Sequence, residues 1–139
     1  MSVLKNINAA LLKAYQSAVP SSLPTSYEAR DFQPPFSGNW ARVKNFPAAV
    51  DVGSLGEGGF DNFTGFFQVD FFVPENSGTA TLHELAGAII AKFKNGARFY
   101  HSGQEVKVRR SQLSPIRRDD SLASYVITIS IYWDSPNQR

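Results

Sequence analysis

A chain of 139 residues, 42% of them hydrophobic, fits one domain, and folding at that size takes roughly two-thirds of the unfolded surface out of water. With no cysteine, disulfides, a thiolate nucleophile and Cys-ligated metals are excluded. The formal net charge is only +2, but residues 92–118 hold eight basic side chains against the single acid Glu105, an asymmetry that points to a charged partner, either nucleic acid or an acidic face of another copy. No apolar run is long enough to span a bilayer and the first residues lack a signal-peptide pattern, so the chain reads as a soluble protein made in a cytoplasm, without a membrane partner.

In chain order, Val3, Leu4, Ile7, Leu11, Ala14, Tyr15 and Ala18 trace a helical stripe that Pro20 ends, giving a helix over 2–18. Residues 19–38 are rich in Pro and Ser and read as an extended arm. A short strand over 39–45 presents Trp40. Residues 51–65 hold five glycines and read as a long flexible loop, of a length that usually has binding work to do. The run Phe66–Pro74 alternates, with Phe67, Val69, Phe71 and Val73 on one face and Phe66, Gln68, Asp70 and Phe72 on the other. Pro74 cannot donate to a ladder, so the strand stops there. A second helix follows, its stripe made by Leu82, Leu85, Ala86, Ile89, Ile90 and Phe93, with a start at the Thr81/Glu84 capping pair or at Thr79 and a stop at Asn95-Gly96.

The region 97–121 reads as a basic hairpin and loop: strands over 97–101 and 105–111 around Ser102-Gly103, then a polar segment over 114–121. The last strand is long, with Tyr125, Ile127, Ile129, Ile131 and Trp133 on one face and Val126, Thr128, Ser130 and Tyr132 on the other. The order predicts an α+β fold: a mixed, mainly antiparallel sheet with two main helices packed on one face and long Pro- and Gly-rich loops. The sheet's second face, with Phe66, Phe72, Val126 and Tyr132 among polar residues, is too aromatic for a face meant only for water. Either it is a subunit interface, or the Pro-rich arm folds back over it.

Reactive chemistry finds little support. His83-Glu84 begins like a zinc-protease helix, but Gly87 stands where the second histidine would be, so half of the ligand pair is missing. The glycine segment lacks the Gly-Lys-Ser/Thr ending of a phosphate-binding loop, and there is no Gly-x-Ser-x-Gly elbow. Asp119-Asp120 sit beside Arg117 and Arg118, which makes local ion pairing the default. No catalytic residue, metal ligand or cofactor site is assigned. Lys107, Arg109 and Arg110, with Phe99 and Tyr100 nearby, could grip phosphates and stack on bases; a nucleic-acid-binding module built on 92–118 is the alternative reading.

The order of these pieces resembles the tail terminator, or tail completion, proteins of long-tailed bacteriophages. The resemblance is carried by the helix over 3–18, the Phe36–Trp40 segment after a Pro-rich arm, Gly65–Pro74, Ser77-Gly78-Thr79, the helix ending Ala91–Gly96, and the strand from Tyr125 to Trp133. Other neck and tail-tube proteins share parts of this pattern. The resemblance implies a non-enzymatic virion protein, without cofactor, that forms a hexameric ring at the head-proximal end of the tail. That ring would end tube polymerisation and join the tail to the head. Its partners would be further copies of itself, the tail tube protein and a head-completion or connector protein, with DNA passing through the lumen without specific binding. A closed ring needs two different patches of one chain to meet. The expected patches are Lys107, Arg109, Arg110, Arg117 and Arg118 on one copy and acids such as Asp51, Glu57 and Asp61 on the next copy or the tube, with Phe66 and Phe72 on the aromatic face.

Overall fold

The computed structural model of the chain describes residues 2–35 and 38–139; the Phe36 that opens the expected Phe36–Trp40 segment, and Ser37 in the Pro-rich arm, lie outside the described residues. The elements are α1 (Val3–Ala18), β1 (Thr25–Ser26), β2 (Trp40–Val52), β3 (Phe60–Pro74), α2 (Ala80–Lys92), β4 (Arg98–His101), β5 (Gln104–Leu113), β6 (Arg117–Asp119) and β7 (Ser124–Gln138). They form one seven-stranded sheet in the order β1-β2-β3-β7-β5-β4, with β6 also paired to β7. Among the described residues only the β1–β2 pair is parallel, so the sheet is mixed and mainly antiparallel, in an α+β arrangement.

The alternation along β3 and β7 decides what is buried. Phe67, Val69, Phe71 and Val73 of β3 join Ile127, Ile129, Ile131 and Trp133 of β7 in one cluster with Ile7, Leu11 and Tyr15 of α1 and Leu82, Leu85 and Ile89 of α2. Helix α1 lies against β4 and β5, and α2 against β3 and β7. Ser2 caps α1 by accepting the Lys5 N–H at 3.3 Å, which satisfies one orphan donor of the first turn. Helix α2 starts after Thr79, the earlier of the two candidate starts, although Thr79 makes no side-chain cap bond. It closes with the Phe93 N–H donating to the Ile89 carbonyl, three residues before Gly96, whose φ of +84° suits glycine.

Several expectations change. The glycine segment is not a loop over 51–65: Asp51 and Val52 belong to β2 and Phe60–Gly65 to β3, so only residues 53–59 connect them. The strand expected to end at residue 45 runs on to Val52, and β2 and β3 pair from Trp40↔Phe72 out to Val52↔Asp61. Pro47 and two alanines disguise this extension in the sequence. Pro47 donates nothing to the ladder, and the structure absorbs it at a bulge between Pro47 and Ala49. The Pro-rich arm, expected as an extended segment, also joins the sheet, since Thr25–Ser26 adds β1 to the edge of β2. Likewise the polar segment over 114–121 contains β6, held to β7 by Arg117↔Val126 through Asp119↔Ser124.

Tyr15 ties the arm to the core. Its ring is fully buried and its hydroxyl hydrogen-bonds Thr25 Oγ1 at 2.7 Å. Burial pushes the phenol from 10.0 up to about 12. The folded state therefore prefers the neutral phenol: this stabilisation is complete below pH 10.0 and is lost as pH rises toward 12. Two pH units correspond to roughly 3 kcal/mol, an order-of-magnitude figure. Chemical denaturation between pH 9 and 12 is expected to show that loss, and Tyr15→Phe is expected to flatten it.

Candidate subunit interface

The second sheet face divides into a covered half and an open half. In the covered half Trp40 stacks on Phe72 with centroids 4.0 Å apart and planes 6° from parallel. Phe32 of the arm lies tilted over Trp40 at 5.4 Å, and Leu122 packs against the cluster of Trp40, Phe72 and Val126. The arm thus does fold back, over this half. In the open half Phe46, Phe66 and Tyr132 run across β2, β3 and β7, with Phe46 and Phe66 stacked at 4.6 Å and Phe66 tilted against Tyr132 at 5.7 Å. All three are only half-buried. Arg110 lies 4.1 Å above the Tyr132 ring and Lys44 5.0 Å above that of Phe46. Phe66 and Tyr132, with Ala48, Thr64, Gly65, Arg109 and Arg110, border an open groove of about 530 Å³.

Asp70 marks the boundary between the halves. Its buried carboxylate accepts Arg42 Nη2 at 3.1 Å, Arg42 Nε at 3.2 Å and Gln68 Nε2 at 3.2 Å, and the Thr128 hydroxyl donates to its other oxygen. Arg117 Nη2 donates to that same hydroxyl at 2.9 Å. A continuous polar line therefore crosses β2, β3 and β7 and ends at β6.

Beyond the groove, the β2–β3 hairpin projects past the covered part of the sheet. Direct cross-strand partners share a face, so Val50 opposite Phe63 and Val52 opposite Asp61 lie on the helix side of the sheet. Both are exposed, and Leu55 in the connecting turn is 89% exposed. Arg139 holds this turn in shape. One guanidinium nitrogen donates to the Phe60 carbonyl at 3.1 Å and to Asp61 Oδ1 at 2.6 Å, the other to the Ser54 and Gly56 carbonyls at 2.5 and 2.6 Å, and its backbone N–H donates to the Gly59 carbonyl at 3.0 Å. At Gly53 a Cβ would stand 2.2 Å from the Phe60 ring, so glycine is what lets that ring lie against the turn.

The structure places the sequence-derived candidates as follows. Asp61 is bound to Arg139 of its own chain and Arg109 to Asp134 at 2.9 Å. Arg118 pairs with Glu75 and, at 2.7 Å, with Asp120, while Arg117 holds Ser114 and Thr128. Phe72 is fully buried and offers no surface; Phe66 does. Among the described residues Asp51, Glu57, Lys107 and Arg110 have no ion-pair partner within the chain. A bulge between Val108 and Arg110 breaks the alternation of β5, so that Arg110, rather than Arg109, faces Tyr132 across the strand. Phe99 and Tyr100, the proposed base-stacking pair, are otherwise engaged: Phe99 packs edge-on against Phe93 and the Tyr100 hydroxyl donates to Glu105. No three His, Asp or Glu side chains converge as a metal set among the described residues. The surface can bury apolar area and pair charges; it brings no acid and base together on a reactive group.

Comparison with known proteins then decides the family. A family model described as phage tail terminator protein matches residues 6–133. The chain belongs to the phage tail terminator family. Membership makes it a structural protein of the phage tail, located in the virion. One solved structure is 25% identical with a TM-score of 0.72, over 93% of this chain and 92% of its own. A chain in the virion of a native gene transfer agent particle shares the fold at a TM-score of 0.58 and 14% identity, over 99% of this chain and 98% of its own. No curated protein matches.

Sequence reasoning missed Leu55, Val50, Val52 and Arg139 as surface-forming residues of this tail terminator family member. Val52 stands inside the segment read as loop, and Val50 just before it, beyond the end of the expected strand. Arg139 gave no local signal, because its partners are some 80 positions away: |i−j| is 78 for Asp61 and 85 for Ser54.

Proposed function

We propose that the protein forms a closed ring, of six copies by family likeness, at the head-proximal end of the tail tube. There it ends tube polymerisation and provides the surface for joining the head. Its partners are further copies of itself, the tube protein and a head-completion protein, with DNA passing through the lumen without specific binding. The observation that carries this reading is the family match over residues 6–133. Two surface features suit it: a projecting hairpin with an apolar, acidic tip, and an aromatic groove with an unpaired cation on a different part of the sheet. A ring closes through heterologous contacts, which require two such different patches on one chain.

Sedimentation and electron microscopy of the purified protein, alone and with polymerising tube protein, test the reading. Rings at one end of each tube, and tubes that stop growing, are expected. A monomer that leaves tube growth unaltered would contradict it.

A further inference from the structure

We infer that the tip of the β2–β3 hairpin of one copy inserts into the second-face groove of the next copy. Leu55 enters as an apolar knob on Phe66 and Tyr132, and Glu57 meets Arg110. This deepens the ring reading and rests on it.

The two surfaces match apolar area with apolar area and carry opposite unpaired charges. Leu55 is 89% exposed at a turn that the Arg139 clamp keeps from collapsing. A preorganised knob loses little conformational freedom on docking. The turn carries Glu57, and Asp51 lies on the adjoining strand; neither has an ion-pair partner among the described residues. The groove presents half-buried aromatic rings and Arg110, whose guanidinium lies on Tyr132 without a carboxylate. Arg109, beside it, is already neutralised by Asp134, so the carboxylate-free cation bordering the groove is Arg110.

A tip cannot fill the groove of its own chain. Ala48, at the bulge on the groove wall, and Val52 are four residues apart on β2, about 13 Å at roughly 3.3 Å per residue, and the turn extends further still. The continuous pairing with β3 keeps that spacing fixed. A tip that fills the groove therefore belongs to another copy. Because tip and groove differ, each chain gives one and receives one, the pattern that propagates around a ring.

The lack of cysteine makes a direct test possible, since any disulfide would report only introduced positions. Leu55→Cys and Ala48→Cys are both at exposed sites, so the fold is expected to persist, as a thermal melt of each variant checks. The double variant, oxidised in the presence of tube protein, is expected to give a covalent ladder ending at the ring size. An equimolar mixture of the two single variants is expected to give mainly one cross-linked dimer, and Leu55→Cys with Ser21→Cys none. Rings without the 55–48 link, or linking equally strong to position 21, overturn the tip-in-groove contact and leave the ring reading standing. A protein that stays monomeric and unlinked even on tubes overturns both.

Discussion

Trp133→Ala is expected to lower the unfolding free energy by about 3–5 kcal/mol, the range for emptying a large buried aromatic site. Trp133 is fully buried, and its indole reaches across the sheet to donate from Nε1 to Asn45 Oδ1 at 3.0 Å. That reach is possible because Gly65 lies between: a Cβ there would stand 2.7 Å from the indole and 2.5 Å from the Phe46 carbonyl. The side chain thus joins β7 to β2 across β3 at the level where the hairpin leaves the covered sheet. Trp133→Phe keeps most of the apolar area and loses the hydrogen bond, so a smaller cost, about 1–2 kcal/mol, is expected. Urea denaturation with an unchanged slope and a lowered midpoint measures both. Equal costs for the two variants would show that the hydrogen bond, rather than the buried ring, is what matters.

Asp70→Ala is expected to cost about 2–3 kcal/mol, because Thr128 and Gln68 lose their acceptor and Arg42 its counter-ion. The carboxylate side chain is only 2% exposed, whereas that of Arg42 is 47% exposed, so water partly screens the pair and the loss falls below that of a fully buried one. Asp70→Asn retains an oxygen for Thr128 and is expected to cost about half as much. The same denaturation series distinguishes them. The Asp70 line also positions Arg117 through Thr128, so the alanine variant is expected to loosen β6 before the rest of the sheet, visible as faster amide exchange at Arg117–Asp119.

Period and punctuation made much of this fold readable before any coordinates. Phe66–Pro74 and the strand ending at Trp133 alternate strictly, and the α1 and α2 stripes are bounded by Pro20 and by Asn95-Gly96. The hairpin extension was hidden because Pro47, Ala48 and Ala49 have little strand preference; the ladder to β3, not local propensity, extends them. Bulges at Pro47/Ala49 and Val108/Arg110 leave no mark in hydrophobic period, which is why Arg110 was grouped with the rest of the basic run. The charge asymmetry over 92–118 was plain, but which of those cations is already neutralised depends on partners such as Asp134 and Glu75, far away in sequence. The aromatic second face was likewise visible as a list of residues. Its division at Asp70, with Phe32 and Trp40 over one half and a groove in the other, required the chain to be folded.

The role proposed for this protein is to stop the tail tube at its head-proximal end. The length of tails assembled in infected cells that lack it, measured in electron micrographs, tests this most directly. Tails of irregular and excessive length, without heads, are the result expected, with normal length restored by supplying the protein. Tails of uniform, normal length joined to heads in its absence would contradict the account.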